Sequence, residues 1–234
     1  MNIAVVGLGF VGLSISSVLA SKNYNVVGID IDNQKCSDIR NGVLPLFEPD
    51  LENTLRIGLK KKLTISNNFS LIKNCDMIFV TVGTPQKSNG AIELSMIKKA
   101  TTTIGQIIKK SVTTIGQIIR KSKKNPIIFI KSTVVPGTAQ NVILPILEKK
   151  SGKKANRGFG IISNPEFLQE SNAIRDTKYP HAIVLGGKQS KYMKKAKMFF
   201  SKMHPNVPIV ITNFQTAEMI KYANNSFLAT KISF

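Results

Sequence analysis

The 234 residues carry 33 Lys+Arg against 13 Asp+Glu, a formal net charge of +20, and 42% of them are hydrophobic. That apolar content is enough for one sizeable core. No apolar run approaches the ~18 residues that a membrane span needs, and no basic leader precedes an apolar stretch. We therefore expect a soluble cytoplasmic protein that has no membrane partner.

The basic excess is almost entirely lysine, which disfavours a dedicated nucleic-acid reader. The basic runs 60–62, 120–124 and 149–154 contain no aromatic residue that could stack on a base. The aromatic residues of a fourth run, 188–202, have the spacing of one buried helix face. We interpret the charge as a solvated lysine-rich surface and expect no specific nucleic-acid partner. Weak, salt-sensitive attraction to polyanions is still expected from such a surface.

The two cysteines, Cys36 and Cys75, lie outside any C-x-x-C pair or Cys/His cluster. Such isolated cysteines indicate reduced thiols. They predict neither a disulfide framework nor a metal site.

The first 32 residues predict a dinucleotide site. A β-branched run at 2–6 precedes the sequence GLGFVG, which fits G-x-G-x-x-G where an apolar helix pattern begins. Gly7 permits a sharp turn, Gly9 lets the backbone approach a pyrophosphate, and Gly12 allows the helix to press against the strand. Asp30 closes the next strand, where its carboxylate can bind the hydroxyls of an adenosine ribose. The same carboxylate repels a 2′-phosphate, so NAD is favoured over NADP.

The rest of the chain alternates between apolar strands and amphipathic helices. Predicted helices cover 33–41, 50–62, 188–202 and 212–234, and predicted strands cover 63–66, 76–82, 126–131, 158–163, 181–185 and 207–211. The alternation predicts a doubly wound, mostly parallel α/β sheet of Rossmann type, with strands near 2–6, 26–30, 76–82 and 126–131 at its centre. Ligands bind beyond the carboxyl ends of such strands. Thr84 is therefore a candidate cofactor contact.

Residues 102–123 contain a tandem repeat, TTIGQIIKKSV followed by TTIGQIIRKSK. Eleven residues turn a helix through about three full turns, so the duplication keeps its apolar stripe in phase. Gly105 and Gly116 each cost roughly 1 kcal/mol inside a helix. We interpret the repeat as a neutral duplication, with a new interaction arm as the alternative.

Glu166 and Glu170 lie four residues apart, which predicts both carboxylates on one face of a helix that Pro165 opens. Near the crevice, the pair could serve as general base and substrate anchor. Acids in a first helical turn are also ordinary partners of the helix dipole. The residues alone favour the helix-dipole interpretation.

Six segments in order carry a resemblance to a known family: GLGFVGL, GIDID, VGTP at 82–85, KSTVVPGT at 131–138, NPEFLQES at 164–171 and AEMIKYANNSFLATKISF at 217–234. The chain resembles the nucleotide-sugar dehydrogenases, and PEFL is closer to the UDP-glucose 6-dehydrogenase branch than to the UDP-N-acetylmannosamine branch. The resemblance implies NAD-dependent oxidation of a sugar C6 alcohol to a carboxylate, through a thiohemiacetal and a thioester on a cysteine. Rival interpretations are oxidation of GDP-mannose or UDP-N-acetylmannosamine, or a non-catalytic NAD- or polyanion-binding remnant.

The resemblance also implies roles for individual residues. Contacts to NAD are expected from Gly7, Gly9, Phe10, Val11, Gly12, Asp30, Lys35, Thr84, Thr133 and Glu170. Contacts to the sugar nucleotide are expected from Glu166, Phe167, Leu168, Glu170, Lys221 and Asn225. Thr133 would position a water, Glu170 is a candidate base for thioester hydrolysis, and Lys221 with Asn225 would hold the reacting oxygen. These four form the expected catalytic group.

The sequence departs from the family in two respects. Ala182 stands where an arginine often follows Pro180, which puts one polar contact in doubt. The family's second domain, which supplies the nucleophilic cysteine, is not represented. We expect residues 1–212 to form the NAD-binding domain, and 213–234 to be the truncated start of a central inter-domain helix that forms a homodimer in the full-length enzyme. We expect the chain to be inactive alone, with a UDP-sugar substrate and a complementary C-terminal chain as candidate partner.

Overall fold

The structure, a computed structural model, describes residues 1–82 and 109–234. Within these residues eight strands form one sheet. They are β1 (Asn2–Val6), β2 (Asn25–Ile29), β3 (Leu63–Ser66), β4 (Met77–Val80), β5 (Ile127–Ile130), β6 (Gly160–Ser163), β7 (Ile183–Gly186) and β8 (Ile209–Thr212). Their order across the sheet is β3-β2-β1-β4-β5-β6-β7-β8.

Helices connect these strands. They are α1 (Phe10–Ser21), α2 (Asn33–Arg40), α3 (Leu51–Lys61), α4 (described over 109–120), α5 (Leu144–Ser151), α6 (Ala173–Lys178), α7 (Lys191–Met203) and α8 (Phe214–Ser233). A 3-10 helix spans Phe69–Asn74, and a π-helical turn, Ala139–Ile143, leads into α5. Side chains cap several of the helices, as Asp32 does for α2 and Asn213 for α8. Each accepts a hydrogen bond from a backbone N–H that has no partner inside the helix.

The sheet is parallel except between β6 and β7, where Ser163 pairs with Gly186. The predicted doubly wound, mostly parallel fold is thus confirmed. One detail differs, because β2 lies second from an edge and β6 is among the four central strands. Val6, Val80, Ile130 and Ser163 lie in register across β1, β4, β5 and β6. The loops that follow these four strands therefore meet at one edge of the sheet.

Each central strand contributes side chains to two hydrophobic cores, because successive side chains of a strand point to opposite faces of the sheet. In β4, Met77 and Phe79 face the core under α1, α3 and α7, while Ile78 and Val80 face the core under α4 and α5. Phe79 stacks on Phe129 with ring centroids 4.6 Å apart. Both faces are thus covered, as the apolar runs of these strands require.

The lysine-rich helix α7 buries Tyr192, Phe199 and Phe200, which are 2%, 6% and 7% exposed. Its lysines are exposed. The prediction that these aromatic side chains belong to the core is therefore confirmed. No helix within residues 1–82 and 109–234 has the length and apolar character of a membrane span.

The tandem repeat is described only in part, as α4. Val112, Ile115 and Ile119 are buried against the sheet, as the apolar stripe predicts. Residues 102–108 of the first copy lie outside the described residues. A Cβ on Gly116 would lie 2.8 Å from Cβ of Lys150 in α5. This glycine therefore permits a close approach of α4 to α5, which offsets its poor helix propensity.

Candidate cofactor and substrate site

The glycine turn joins β1 to α1. Gly7 has φ +97°, a conformation that favours glycine, and its N–H donates to Ile29 O at 2.8 Å. A Cβ on Gly12 would lie 1.8 Å from Gly7 O. In contrast, a Cβ on Gly9 would meet nothing within 4 Å. The backbone at Gly9 therefore faces open space at the start of α1, where the N–H groups of a helix attract phosphate oxygens.

Thr81 supports this turn and was missed from the sequence. Its hydroxyl lies 3.0 Å from Val6 O and 2.8 Å from Gly7 O, and so links the end of β4 to the glycine turn. A Cβ on Gly12 would also lie 2.6 Å from Thr81 Oγ1. The sequence does contain a signal for Thr81: it is a polar residue directly after the apolar run of β4, at the edge of the sheet where the ligand crevice was expected.

Asp30, at the end of β2, is 7% exposed and is bound to the glycine turn. Its Oδ2 accepts hydrogen bonds from Leu8 N at 2.8 Å and from Lys35 Nζ at 3.2 Å. Its Oδ1 accepts one from Asp32 N at 3.1 Å. The predicted cofactor residues Asp30 and Lys35 are therefore neighbours of the glycine turn, and a carboxylate lies where the dinucleotide fingerprint places the adenosine ribose.

A crevice of about 160 Å³ lies beyond the carboxyl ends of the central strands. It is lined by Gly9, Phe10, Val11, Thr81, Val82, Lys131, Ser132, Thr133 and Glu166. The fold thus brings the predicted residues Thr133 and Glu166 to the glycine turn. Thr84 lies outside the described residues.

Two residues that line the crevice, Lys131 and Glu166, belong to a polar network. Lys131 Nζ donates to Asn164 Oδ1 at 3.1 Å, and Asn164 Nδ2 donates to Val184 O at 2.9 Å. Glu166 Oε1 lies 2.9 Å from Lys221 Nζ, and Lys221 is 6% exposed. Burial lowers the pKa of Lys131 to about 8, Glu166 opposes this shift, and the charge of Lys221 adds to it. The carboxylate of Glu166 therefore pairs with Lys221 and also acts through its charge on Lys131.

The prediction of a helix that begins at Pro165 is wrong, because α6 begins only at Ala173. Glu166 instead accepts a hydrogen bond from Leu168 N at 2.6 Å, a local bond that competes with helix formation. Glu170 consequently does not share a helix face with Glu166, and it is exposed on a turn.

The predicted substrate residues separate into a buried and an exposed group. Lys221 lies 5.7 Å from the Phe167 ring centroid, so these two residues and Glu166 come together. Leu168 follows them in the same segment and is partly buried. Asn225, one turn beyond Lys221 on α8, is exposed like Glu170.

A second cavity, of about 80 Å³, lies among the side chains of the core under α1, α3 and α7. It also reaches Lys131 and Glu166. Ala182, which stands where the family often has arginine, is part of its lining, as are Thr177 and His204. Burial and the charge of Lys22 lower the pKa of His204 to about 4. This imidazole is therefore neutral at physiological pH.

Both cysteines are buried and free. Burial raises the pKa of Cys75 to about 11, and Cys75 lines a groove with Asn2 and Asn25, at the amino ends of β1 and β2. Burial also raises the pKa of Cys36, whose Sγ lies 3.6 Å from Asp30 O. Neither thiol lines the crevice.

The parallel sheet, the glycine turn and the acid at the end of β2 define a dinucleotide-binding α/β domain. The chain belongs to the UDP-glucose/GDP-mannose dehydrogenase family, because residues 1–204 match the model of that family's NAD-binding domain. NAD is therefore its cofactor. The open space at Gly9 and the carboxylate of Asp30 fit the pyrophosphate and the adenosine ribose of this molecule.

Named relatives support the same family. The chain is 38% identical over 236 residues to GDP-mannose 6-dehydrogenase of Pseudomonas syringae pv. tomato, covering 100% of this chain and 51% of that protein. It is 35% identical to UDP-glucose 6-dehydrogenase AglM of Haloferax volcanii, covering 100% of this chain and 52% of the relative. The chain thus spans about half the length of these curated relatives.

Solved structures show the same relationship. The GDP-mannose dehydrogenase of Pseudomonas aeruginosa superposes with a TM-score of 0.86 at 34% identity, and the UDP-glucose dehydrogenase of Pyrobaculum islandicum with 0.81 at 30%. Each match covers 100% of this chain and 51% of the other. The resemblance inferred from the sequence is confirmed at the level of the family.

Proposed function

We propose that this chain is the NAD-binding part of an enzyme that oxidises the C6 alcohol of a nucleotide sugar to a carboxylate. The observation that carries the proposal is the buried Glu166–Lys221 pair, held at 2.9 Å beside the glycine turn of an NAD-binding domain. UDP-glucose is the first candidate substrate because of the PEFL segment. GDP-mannose is the second, because a relative with that name is 38% identical to the chain and a UDP-glucose enzyme is 35% identical.

The charges of the crevice suit an oxidation that passes through an alkoxide. NAD, when bound, accepts a hydride from the substrate carbon. Lys131, Glu166 and Lys221 together leave one unbalanced positive charge at the crevice while both lysines are protonated. Positive charge placed before the reaction stabilises an oxyanion that appears during it. Lys131, with a pKa of about 8, can also hold or release a proton near physiological pH.

The carboxylate product requires a second oxidation, and the family's route to it needs a thiolate. Cys36 and Cys75 are buried, their pKa values are raised, and neither lines the crevice. A neutral, buried thiol is a poor nucleophile. We therefore expect no sustained sugar oxidation from the 234-residue chain alone. The thiolate would come from a complementary chain or domain, and α8, with residues 213–234, would belong to a dimer-forming helix.

Calorimetric titration with NAD at two salt concentrations tests cofactor binding. We expect salt-tolerant binding of NAD and weaker binding of NADP. In Asp30→Asn, loss of a charged acceptor should weaken NAD binding about tenfold or more. Asp38→Asn removes the same charge at a half-buried position on α2, where the carboxylate accepts a hydrogen bond from Gln34 Nε2 at 2.8 Å. It is the matched control and should bind like the original chain. Binding to heparin at low salt but not to NAD would instead favour a polyanion-binding protein.

NADH absorbance tests turnover. The purified chain should produce no sustained signal with UDP-glucose or with GDP-mannose. Adding the separately expressed C-terminal half of a full-length relative should restore a signal, and the sugar that gives the larger signal identifies the substrate. Sustained turnover of the chain alone that Cys36→Ala or Cys75→Ala abolishes would contradict the proposed absence of a nucleophile.

A further inference from the structure

Two buried glutamates hold two of the segments that line the crevice, the loop after β5 and the loop after β6, which we call the crevice loops. The first is Glu48, between α2 and α3, which is 4% exposed. Its Oε2 accepts a hydrogen bond from Ser171 N at 3.0 Å, and its Oε1 accepts one from Ala173 N at 2.6 Å. The segment that it binds follows β6 and contains Glu166 and Phe167. Glu48 therefore connects a remote part of the chain to the proposed substrate segment.

The second is Glu218, in the first turns of α8, which is 3% exposed. Its Oε2 accepts a hydrogen bond from Gly137 N at 2.5 Å, and its Oε1 accepts one from Ala139 N at 2.8 Å. Burial raises the pKa of Glu218, and the amides of residues 137–139 oppose that rise. The bound loop follows β5 and contains Thr133. Lys221 lies three residues further along α8, so Glu218 connects Thr133 to Lys221.

The two contacts share one geometry. In each, the carboxylate binds the N–H of a residue with positive φ and the N–H two residues later. Ser171 has φ 67° and Gly137 has φ 93°. Consecutive amides around a left-handed residue form a concave anion-binding nest. Each crevice loop therefore contains such a nest, and the chain fills it with its own buried carboxylate.

A merely local cap would not explain these contacts. The glutamates reach across the fold, with sequence separations of 123 and 125 residues for Glu48 and 79 and 81 residues for Glu218. Ser171 also adopts a conformation that is unfavourable for a residue with a side chain, and such a conformation persists only where its surroundings enforce it. The nest that holds Ser171 lies one residue after Glu170 and five after Glu166.

We infer that Glu48 and Glu218 are positioning residues that hold the two crevice loops in the arrangement that binds cofactor and substrate. Neither glutamate lines the crevice itself. The inference rests on the proposed function in one respect: the segment that Glu48 binds is assigned to the substrate. Its central statement is that the geometry of the crevice depends on two remote carboxylates. NAD binding and the rigidity of the two loops test that statement.

The chain offers a matched control in Glu148 of α5. This carboxylate also binds a backbone amide, Ala155 N at 3.0 Å, and it pairs with Lys154 at 3.0 Å. It does not line the crevice. Glu148→Gln therefore removes one charge and weakens one amide contact, as Glu48→Gln and Glu218→Gln do, but at a place remote from the proposed site.

The experiment measures NAD affinity by calorimetry and amide hydrogen exchange along the chain, in the original protein and the three Gln variants. We expect Glu218→Gln to accelerate exchange within 133–139 and to weaken NAD binding about tenfold, because the loop that carries Thr133 loses its charged anchor. Glu48→Gln should accelerate exchange within 166–173 and weaken NAD binding less. Glu148→Gln should leave NAD affinity and both loops unchanged.

Normal NAD affinity and normal loop exchange in the Glu48 and Glu218 variants would overturn the inference, because both carboxylates would then be ordinary structural caps. Should either variant fail to fold, the Asp variant is measured instead. It keeps the charge, but its side chain is one methylene shorter and cannot reach both amides. If the original protein does not bind NAD, the proposed function fails, while the exchange data still decide whether the glutamates order the loops.

Discussion

Replacing Lys131 with Met should change how the free energy of unfolding depends on pH. Burial lowers the pKa of this lysine from 10.5 to about 8 in the folded protein. Between these values the unfolded state binds more protons than the folded state, so the free energy of unfolding rises with pH. The lowered pKa makes protonated Lys131 destabilising, and from pH 7 to pH 9.5 this destabilisation should fall by about 2 kcal/mol. Lys131→Met cannot titrate and should lack this change.

Urea denaturation at several pH values in that range measures the effect. The quantity to compare is the difference in unfolding free energy between the original chain and Lys131→Met, because other titrations, including that of Cys75, are common to both proteins and cancel. Lys149→Met, at an exposed position on α5, is the control and should follow the original curve in parallel. A difference that stays constant with pH would show that the ammonium of Lys131 is well solvated, and would refute its assignment to a desolvated network with Glu166 and Lys221.

Three further predictions concern two glycines and the cysteines. Gly12→Ala should destabilise the fold by about 3 kcal/mol or more, because its Cβ would lie 1.8 Å from Gly7 O. Gly9→Ala should change stability by less than about 1 kcal/mol, yet weaken NAD binding at least about tenfold, because its methyl group fills the open space beside the helix N-terminus. Urea denaturation measures the stability of both variants and calorimetry measures their NAD affinity. Equal losses of stability in Gly12→Ala and Gly9→Ala would contradict the predictions. Cys36 and Cys75 should react slowly with iodoacetamide at pH 8 in the folded chain and rapidly in urea, because burial raises the pKa of both thiols. Mass spectrometry measures the rates of labelling. Fast labelling of the folded chain would contradict the burial of the thiols.

The fold could be predicted from the sequence because its signals are local. Apolar runs such as 127–130 and the glycine turn at 7–12 each specify their own structure over a few residues. The alternation of strands and helices then leaves few possible topologies. The position of β2 was misjudged, because the order of strands depends on contacts between segments far apart in the chain.

The site was predictable only in part, for the same physical reason. Asp30 and Thr133 lie at the ends of predicted strands, where ligands of parallel sheets bind. In the structure Thr133 lines the crevice and Asp30 binds the glycine turn. The segment after Pro165 was assigned to a helix from its spacing of acids. That spacing carries no information about Glu48, whose carboxylate binds Ser171 from more than a hundred residues away. A long-range contact thus overrides the local preference of this segment.

The misassigned helix is itself informative about how the crevice is built. A helix that began at Pro165 would satisfy its own amides within a turn or two and would need no remote partner. The observed segment leaves amides free at Ser171 and Ala173, and a buried carboxylate from a different part of the chain satisfies them. The loop after β5 shows the same arrangement at Gly137 and Ala139. Both crevice loops are therefore positioned by tertiary contacts. Changes at Glu48 or Glu218 should consequently act on cofactor affinity before they disturb the sheet.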